Sequence, residues 1–235
     1  MQTDNPYAVN HPVAMLEADR RSAFIWRTYA HVVGAILAFA AISTWMFKSG
    51  VSIQLFNVMQ GNWLLVLGAF MIASWGANYV AHRLESQAAQ YAAFAVYVVA
   101  QAVIFAPLFV MAIIVGGANG PGIIESAATV TIVASVGLMA VAMLTGKDFS
   151  FLRGLLVWGG ILALVGIVAS LIFGFELGTW FSVAMIGFAG AAVLYDTSNI
   201  MHHYPENRHV AAAMSLFASI ALMFWYVLRL FLSRE

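Results

Sequence analysis

The chain has 235 residues, of which 63% are hydrophobic and only 9% charged, with a mean hydropathy of +0.90. Soluble globular domains carry about 25% charged residues, so this composition excludes that class and specifies an integral membrane protein. Ten basic and ten acidic residues leave no net charge and no basic run for a nucleic acid, and the absence of cysteine rules out disulfides, thiol catalysis and thiolate-held metals.

In chain order, residues 1–27 contain two prolines and little continuous apolar pattern. This predicts a mobile cytoplasmic tail over 1–27, at least across its first dozen residues, followed by one transmembrane domain over 28–235. A span takes roughly 20 apolar residues. Seven runs qualify: 29–47, 63–80, 91–115, 127–144, 154–174, 178–201 and 210–231. The first follows a long polar lead and is as long as a full span, so it reads as a retained helix rather than a cleaved signal. GGANGPG at 116–122 is a turn between the third and fourth runs, and KDFS at 147–150 is a polar break between the fourth and fifth. Long unbroken runs lack the roughly ten-residue alternation of a barrel, so the fold class is an all-α bundle of seven transmembrane helices.

Lys and Arg near the helix ends set the orientation. With the N-terminus inside, Arg20, Arg21, Arg27, Arg83, Lys147, Arg153 and Arg208 lie on the cytoplasmic side, against Lys48, Arg229 and Arg234 outside. The excess predicts a cytoplasmic N-terminus and a periplasmic C-terminus.

Nine of the ten acids fall in loops, tails or helix ends, and Asp196 alone sits within a span. If the sixth run extends to Pro205, Asp196 lies about 13 Å inside that end, within a hydrocarbon core roughly 30 Å thick. An ionised Asp at mid-helix costs about 2.5 to 3.5 kcal/mol, which a bound proton, a cationic partner or a water-filled cavity must offset. Gly187 and Ala191 form a small-xxx-small pair ahead of it, which favours close helix approach. On the seventh run Ser215, Ser219 and Tyr226 share one stripe, a natural partner face. Two readings of Asp196 stand: a packing polar residue that fixes the sixth helix on its neighbours, or a proton- or ion-sensitive site.

Arg83 reads as a snorkelling helix-end arginine or as a partner for Asp196, with Glu85 competing for it. The run HHYPENRH, with His202, His203, Glu206 and His209, matches no metal-ligand spacing and reads as an interfacial loop, as does His31. Met and Trp suit lipid-facing surface and aromatic belts. No HExxH, Gly-x-Ser-Gly or second intramembrane Asp in a Gly-x-Gly-Asp setting accompanies Tyr195 and Asp196, so the chain does not read as an enzyme. No resident cofactor or metal is implied.

AAVLYDTSNIMHHY (191–204), followed by AAAMSLFASIALMFWYVLRLF (211–231), resembles the last two helices of the Bax inhibitor 1 family. GKDFSFLRGLL at 146–156 resembles that family's junction between its fourth and fifth helices, and the chain is most similar to the bacterial YccA branch. The resemblance implies seven helices with the last one central, a cytoplasmic N-terminus and residence in the bacterial inner membrane. It implies two activities. YccA-type members bind and modulate the membrane-anchored ATP-dependent protease FtsH. Others are pH-sensitive calcium leak channels in which acids on the sixth and seventh helices pair and a second-helix arginine holds the pair closed. Asp196 matches the first acid and Arg83 falls near the arginine, whereas the second acid is replaced by Ser219. One carboxylate and one hydroxyl cannot share a proton as two carboxylates do, and they attract a divalent cation less. An FtsH-type protease is therefore the expected partner in a lipid setting. Calcium or protons along a path of Asp196, Ser219, Ser215, Tyr195 and carbonyl oxygens are the alternative.

Overall fold

A computed structural model describes residues 12–84 and 86–233. Expectations for residues 1–11, Glu85, Arg234 and Glu235 lie outside the described residues. The structure is all-helical: α1 (Ala18–Lys48), α2 (Val51–Gln60), α3 (Trp63–Arg83), α4 (Gln87–Gly116), α5 (Gly120–Thr145), α6 (Leu152–Phe173), α7 (Thr179–His202) and α8 (His209–Leu232). Six helical stretches are long and apolar enough to cross a membrane, and one of them, Gln87–Thr145, contains both α4 and α5. The turn that divides it, at Gly117–Asn119, falls inside the expected GGANGPG segment.

Two elements differ from expectation. The first helix starts at Ala18, not near residue 29. Its buried stripe, Phe24, Thr28, Val32, Ala35, Phe39, Ser43 and Met46, repeats every three or four residues and so continues past the apolar run. Asp19, Arg20 and Arg27 occupy the exposed face of that first part and hide it from hydropathy. The second addition is α2, whose 10 residues span roughly 15 Å, too short for a crossing. It starts after Gly50, held at φ 79°, and packs mainly on α4.

At the centre stands α8, which packs on α7, α5, α1, α4 and α3. Every residue from His209 to Met214 is buried. Phe39 of α1 meets Phe105 of α4 with ring centroids 5.1 Å apart, and Phe105 stacks on Phe224 of α8 at 5.4 Å. By contrast α6 buries none of its residues and rests chiefly on α7. Trp26, Trp45, Trp75, Trp158 and Trp180 face outward, as lipid-facing aromatics should. Methionine departs from that expectation: Met214 and Met223 fill the core, where an unbranched thioether adapts to irregular gaps.

Close approach at the α4–α5 turn requires glycine. A Cβ on Gly120 would sit 2.7 Å from Ile113 Cα and 2.8 Å from the Ala112 carbonyl oxygen, whereas one on Gly137 meets nothing within 4 Å. Gly120→Ala should therefore destabilise the protein by about 1 to 3 kcal/mol. Gly137→Ala should be neutral or stabilising by up to about 1 kcal/mol through helix propensity. Thermal unfolding in detergent compares the two, and equal midpoints would contradict this packing of the turn.

Candidate functional site

Asp196 lies in the last third of α7 and is only 8% exposed. Ser219 of α8 donates its hydroxyl to Asp196 Oδ2 at 2.5 Å. The expected facing of Asp196 and Ser219 is thus a direct hydrogen bond across the contact between α7 and α8. Gly190 lets α7 lie close to α5 as well as to α8: a Cβ there would sit 3.2 Å from Leu138 Cδ1 of α5 and 3.7 Å from Met223 Cε of α8. Gly187, the other glycine singled out by spacing, faces open space and is exposed, so the small-residue contact runs through Ala189 and Gly190 instead.

The whole DTSNI segment ties α7 to its surroundings. Ser198 accepts from the Phe149 N–H at 2.9 Å and donates to Asp148 Oδ1 at 3.4 Å, clasping the α5–α6 loop. The Asn199 carbonyl accepts from the N–H groups of His203 and Tyr204, closing the helix end. Asp148 Oδ2 meets His203 Nε2 at 2.9 Å. The Ser150 backbone N–H, with help from His203, holds the Asp148 carboxyl below its ordinary range, because both favour the ionised form.

The other expected site residues are distributed as follows. Tyr195 joins Asp196 and Ser219 in lining a cavity of about 660 Å³ between α3, α4, α6, α7 and α8, which extends past Tyr226 to Arg229. Ser215 points elsewhere: its hydroxyl bonds Tyr204 Oη at 3.0 Å. Tyr204 in turn meets His82 Nε2 at 3.3 Å, while His82 Nδ1 bonds the Asn78 carbonyl at 2.9 Å. A neutral His82 therefore carries its proton on Nδ1 and accepts from Tyr204, which accepts from Ser215. The Tyr204 hydroxyl is pushed up in pKa by burial. Arg83 is exposed at the end of α3, and no hydrogen bond or ion pair joins it to Asp196. The arginine that engages this end of α3 is Arg208, which donates to the Ala81 and Leu84 carbonyls.

Residues before α1 dock on the α7–α8 loop. Val13 is fully buried and its N–H donates to the Tyr204 carbonyl at 2.9 Å, Pro12 bridges to Pro205, and Arg20 forms an ion pair with Glu206. His31, Tyr91 and His209 form a further polar cluster, with Tyr91 Oη 3.2 Å from the Nε2 of each histidine. Among the described residues no three His, Asp or Glu side chains converge on a metal-sized site. Nothing in the sequence ties Val13 or Tyr204 to these partners, since each contact joins segments far apart in the chain. Ser198 carries a signal only through its place beside Asp196.

Fold and site together define a helical multi-pass membrane protein with a carboxylate buried between its last two helices. The chain belongs to the family described as inhibitor of apoptosis-promoting Bax1, whose model matches residues 21–235. It is 35% identical over 116 residues to an uncharacterised protein of Pseudomonas aeruginosa, covering 48% of this chain and 51% of that one. It is 34% identical over 99 residues to the modulator of FtsH protease YccA of Escherichia coli, covering 41% of this chain and 45% of the relative. A Vibrio cholerae membrane protein is 32% identical over 108 residues, 45% of this chain and 48% of its own. The match thus spans about half the length of these curated relatives. With its apolar helices and a relative described as an inner membrane protein, the chain is a multi-pass protein of the inner membrane.

Ser219→Ala removes the donor to a buried carboxylate and should cost about 1 to 3 kcal/mol. Asp196→Asn keeps an acceptor for Ser219 and should cost less. Arg83→Gln should stay within about 0.5 kcal/mol of the parent. Unfolding midpoints rank the three, and an Arg83→Gln loss as large as that of Ser219→Ala would contradict the assignment.

The depressed Asp148 carboxyl stabilises the fold fully above the ordinary carboxylate pKa of about 3.9, and this contribution is lost as pH falls through the lower folded value. Hydrogen exchange at the Ser150 amide, which donates to Asp148 at 2.8 Å, should accelerate across that acid range relative to its intrinsic rate. Asp148→Ala should remove the transition.

Proposed function

We propose that the protein is a non-enzymatic modulator of an FtsH-type membrane protease, with seven spans, a cytoplasmic N-terminus and a periplasmic C-terminus. The observation that carries this reading is the likeness to the YccA modulator of Escherichia coli, at 34% identity. The Lys and Arg distribution supports the orientation. Counting α4 and α5 separately gives seven long helices, each of at least 21 residues. In this topology Val13 docks on the cytoplasmic α7–α8 loop and so connects a protease-engaged N-terminus with the helix that bears Asp196. Protonation of Asp196 changes how α7 packs on α8, because the ionised and neutral forms differ in what they accept from Ser219. The other titratable groups around that contact are Tyr97 of α4, Tyr195 of α7, and Tyr226 and Arg229 of α8, with Tyr204 at the loop.

Deleting residues 2–11, while keeping Val13, Arg20, Arg21 and Arg27, tests the modulator reading. The deletion should lengthen the protein's half-life in cells containing FtsH, or change FtsH turnover of another substrate. Unchanged half-life and unchanged substrate turnover count against it. A C-terminal reporter active only in the cytoplasm would count against the topology.

A second reading, a pH-sensitive calcium or proton leak, is favoured by the cavity that reaches Asp196. Ser219→Asp would rebuild a two-carboxylate pair that repels when both ionise and shares a proton when one does not. In liposomes that variant should gain calcium flux as pH rises through the pair's higher apparent pKa. Equal flux and an equal pH profile in the parent would reverse the order of the two readings.

A further inference from the structure

The cavity beside Asp196 has a second, oppositely charged end. Ser219 and Arg229 lie on the same stretch of α8, about 15 Å apart along its axis, and both line the cavity. Arg229 Nη2 donates to the Leu177 carbonyl at 2.9 Å, which fixes the guanidinium at the mouth. It forms no ion pair among the described residues; Glu176, next to Leu177, does not reach it. A guanidinium has five N–H donors, so most remain for a ligand.

Between the two ends the walls are mostly apolar, with Phe70, Ile104, Phe105, Leu171, Leu222 and Trp225, interrupted by Gln101, Ser170 and Tyr226. One wall is α6, which buries none of its residues and rests chiefly on α7, while the facing wall is α3. The two helices barely touch one another, so this side of the cavity is bounded by two helices with exposed apolar surfaces. Trp63 and Trp225 stack with centroids 6.4 Å apart and flank the Arg229 end, as interfacial aromatics do at headgroup level.

We propose that this cavity binds one anionic lipid, its phosphate on Arg229 and one acyl chain running between α3 and α6 toward Asp196. A volume of about 660 Å³ is of the order needed for a headgroup and one acyl chain, with the second chain left in the bilayer. A basic group recessed between transmembrane helices is the arrangement that selects anionic headgroups, through charge and forked hydrogen bonding. Buried apolar area along the chain supplies the rest of the affinity. The bound chain excludes water from the Asp196–Ser219 bond, so the site goes beyond the proposed modulator role and does not depend on it.

Native mass spectrometry of the full-length protein, titrated with phosphatidylglycerol or phosphatidylcholine of matched chains, tests the site. The parent should retain one phosphatidylglycerol with at least about a tenfold preference. Arg229→Gln should reduce that preference to about twofold or less, and Lys48→Gln, a cation at the same end but outside the cavity, should leave it intact. Leu222→Trp, or Ala218→Phe should the first not fold, should lower retention of both lipids by filling the cavity. Glycerol 3-phosphate, which has the headgroup chemistry without a chain, should not bind. Equal retention of the two lipids by the parent would overturn the proposal. So would equal losses in Arg229→Gln and Lys48→Gln, full retention in the cavity-filling variant, or binding of glycerol 3-phosphate as strong as that of the lipid.

Discussion

A carboxylate within a membrane helix has to be satisfied by its neighbours, and that constraint organises the last two helices. Ser219 meets it with a hydroxyl at 2.5 Å, which requires α7 and α8 to lie close and in fixed register. Gly190 leaves room for Leu138 of α5 and Met223 of α8 beside α7, and Val193 on the same helix is fully buried. Because α8 also packs on α1, α3, α4 and α5, any change in how Asp196 bonds acts on the axis of the whole bundle. The low dielectric around it raises the energetic weight of a single hydrogen bond, and equally the cost of losing it.

The same end of α7 collects segments from across the chain. The α5–α6 loop attaches through Ser198 and His203, the segment before α1 through Tyr204, and α3 through the contact of His82 with Tyr204. Asp196 is one turn or two away from all of them. A short set of contacts thus links the segment before α1 to the helices that hold the buried acid: Val13 to Tyr204, Tyr204 to Ser215, and Ser219 to Asp196. At the opposite end, Arg229 closes the cavity with positive charge. That charge opposes entry of a cation from that side and sets the proposed lipid site apart from a simple ion path.

Hydropathy alone made most of the bundle legible, since α3 to α8 lie over the expected apolar runs and the two turns fall at Gly/Pro and polar breaks. It could not show the first turns of α1, whose exposed face carries Asp19, Arg20 and Arg27 over a buried Phe24, nor the short α2, whose length is below that of a span. Asp196 stood out because a carboxylate in an apolar run is costly, and Ser219 through its place on a hydroxyl stripe, which the resemblance then matched to the second acid position. Ser215 and Ser219 share a helix stripe, yet they serve different partners, because Tyr204 folds back over one turn of α8 and the cavity opens at the next. Arg83 attracted notice as the helix-end arginine, while Arg208, from a distant loop, makes the backbone contacts at that end. Such pairings depend on tertiary placement, which residue spacing does not encode.

The role assigned to Asp196 is that its protonation alters the packing of α7 on α8. The chain has no cysteine, so two introduced ones can be spin-labelled cleanly. Val183, exposed near the start of α7, and Ser233, exposed just after α8, lie at the same end of the helix pair. Double electron–electron resonance between labels there, recorded from acid to alkaline pH, reads the separation of the two helices. A distance distribution that shifts with pH in the parent and stays constant in Asp196→Asn is the expected result. Identical distributions in both proteins at every pH would contradict the role assigned to this carboxylate.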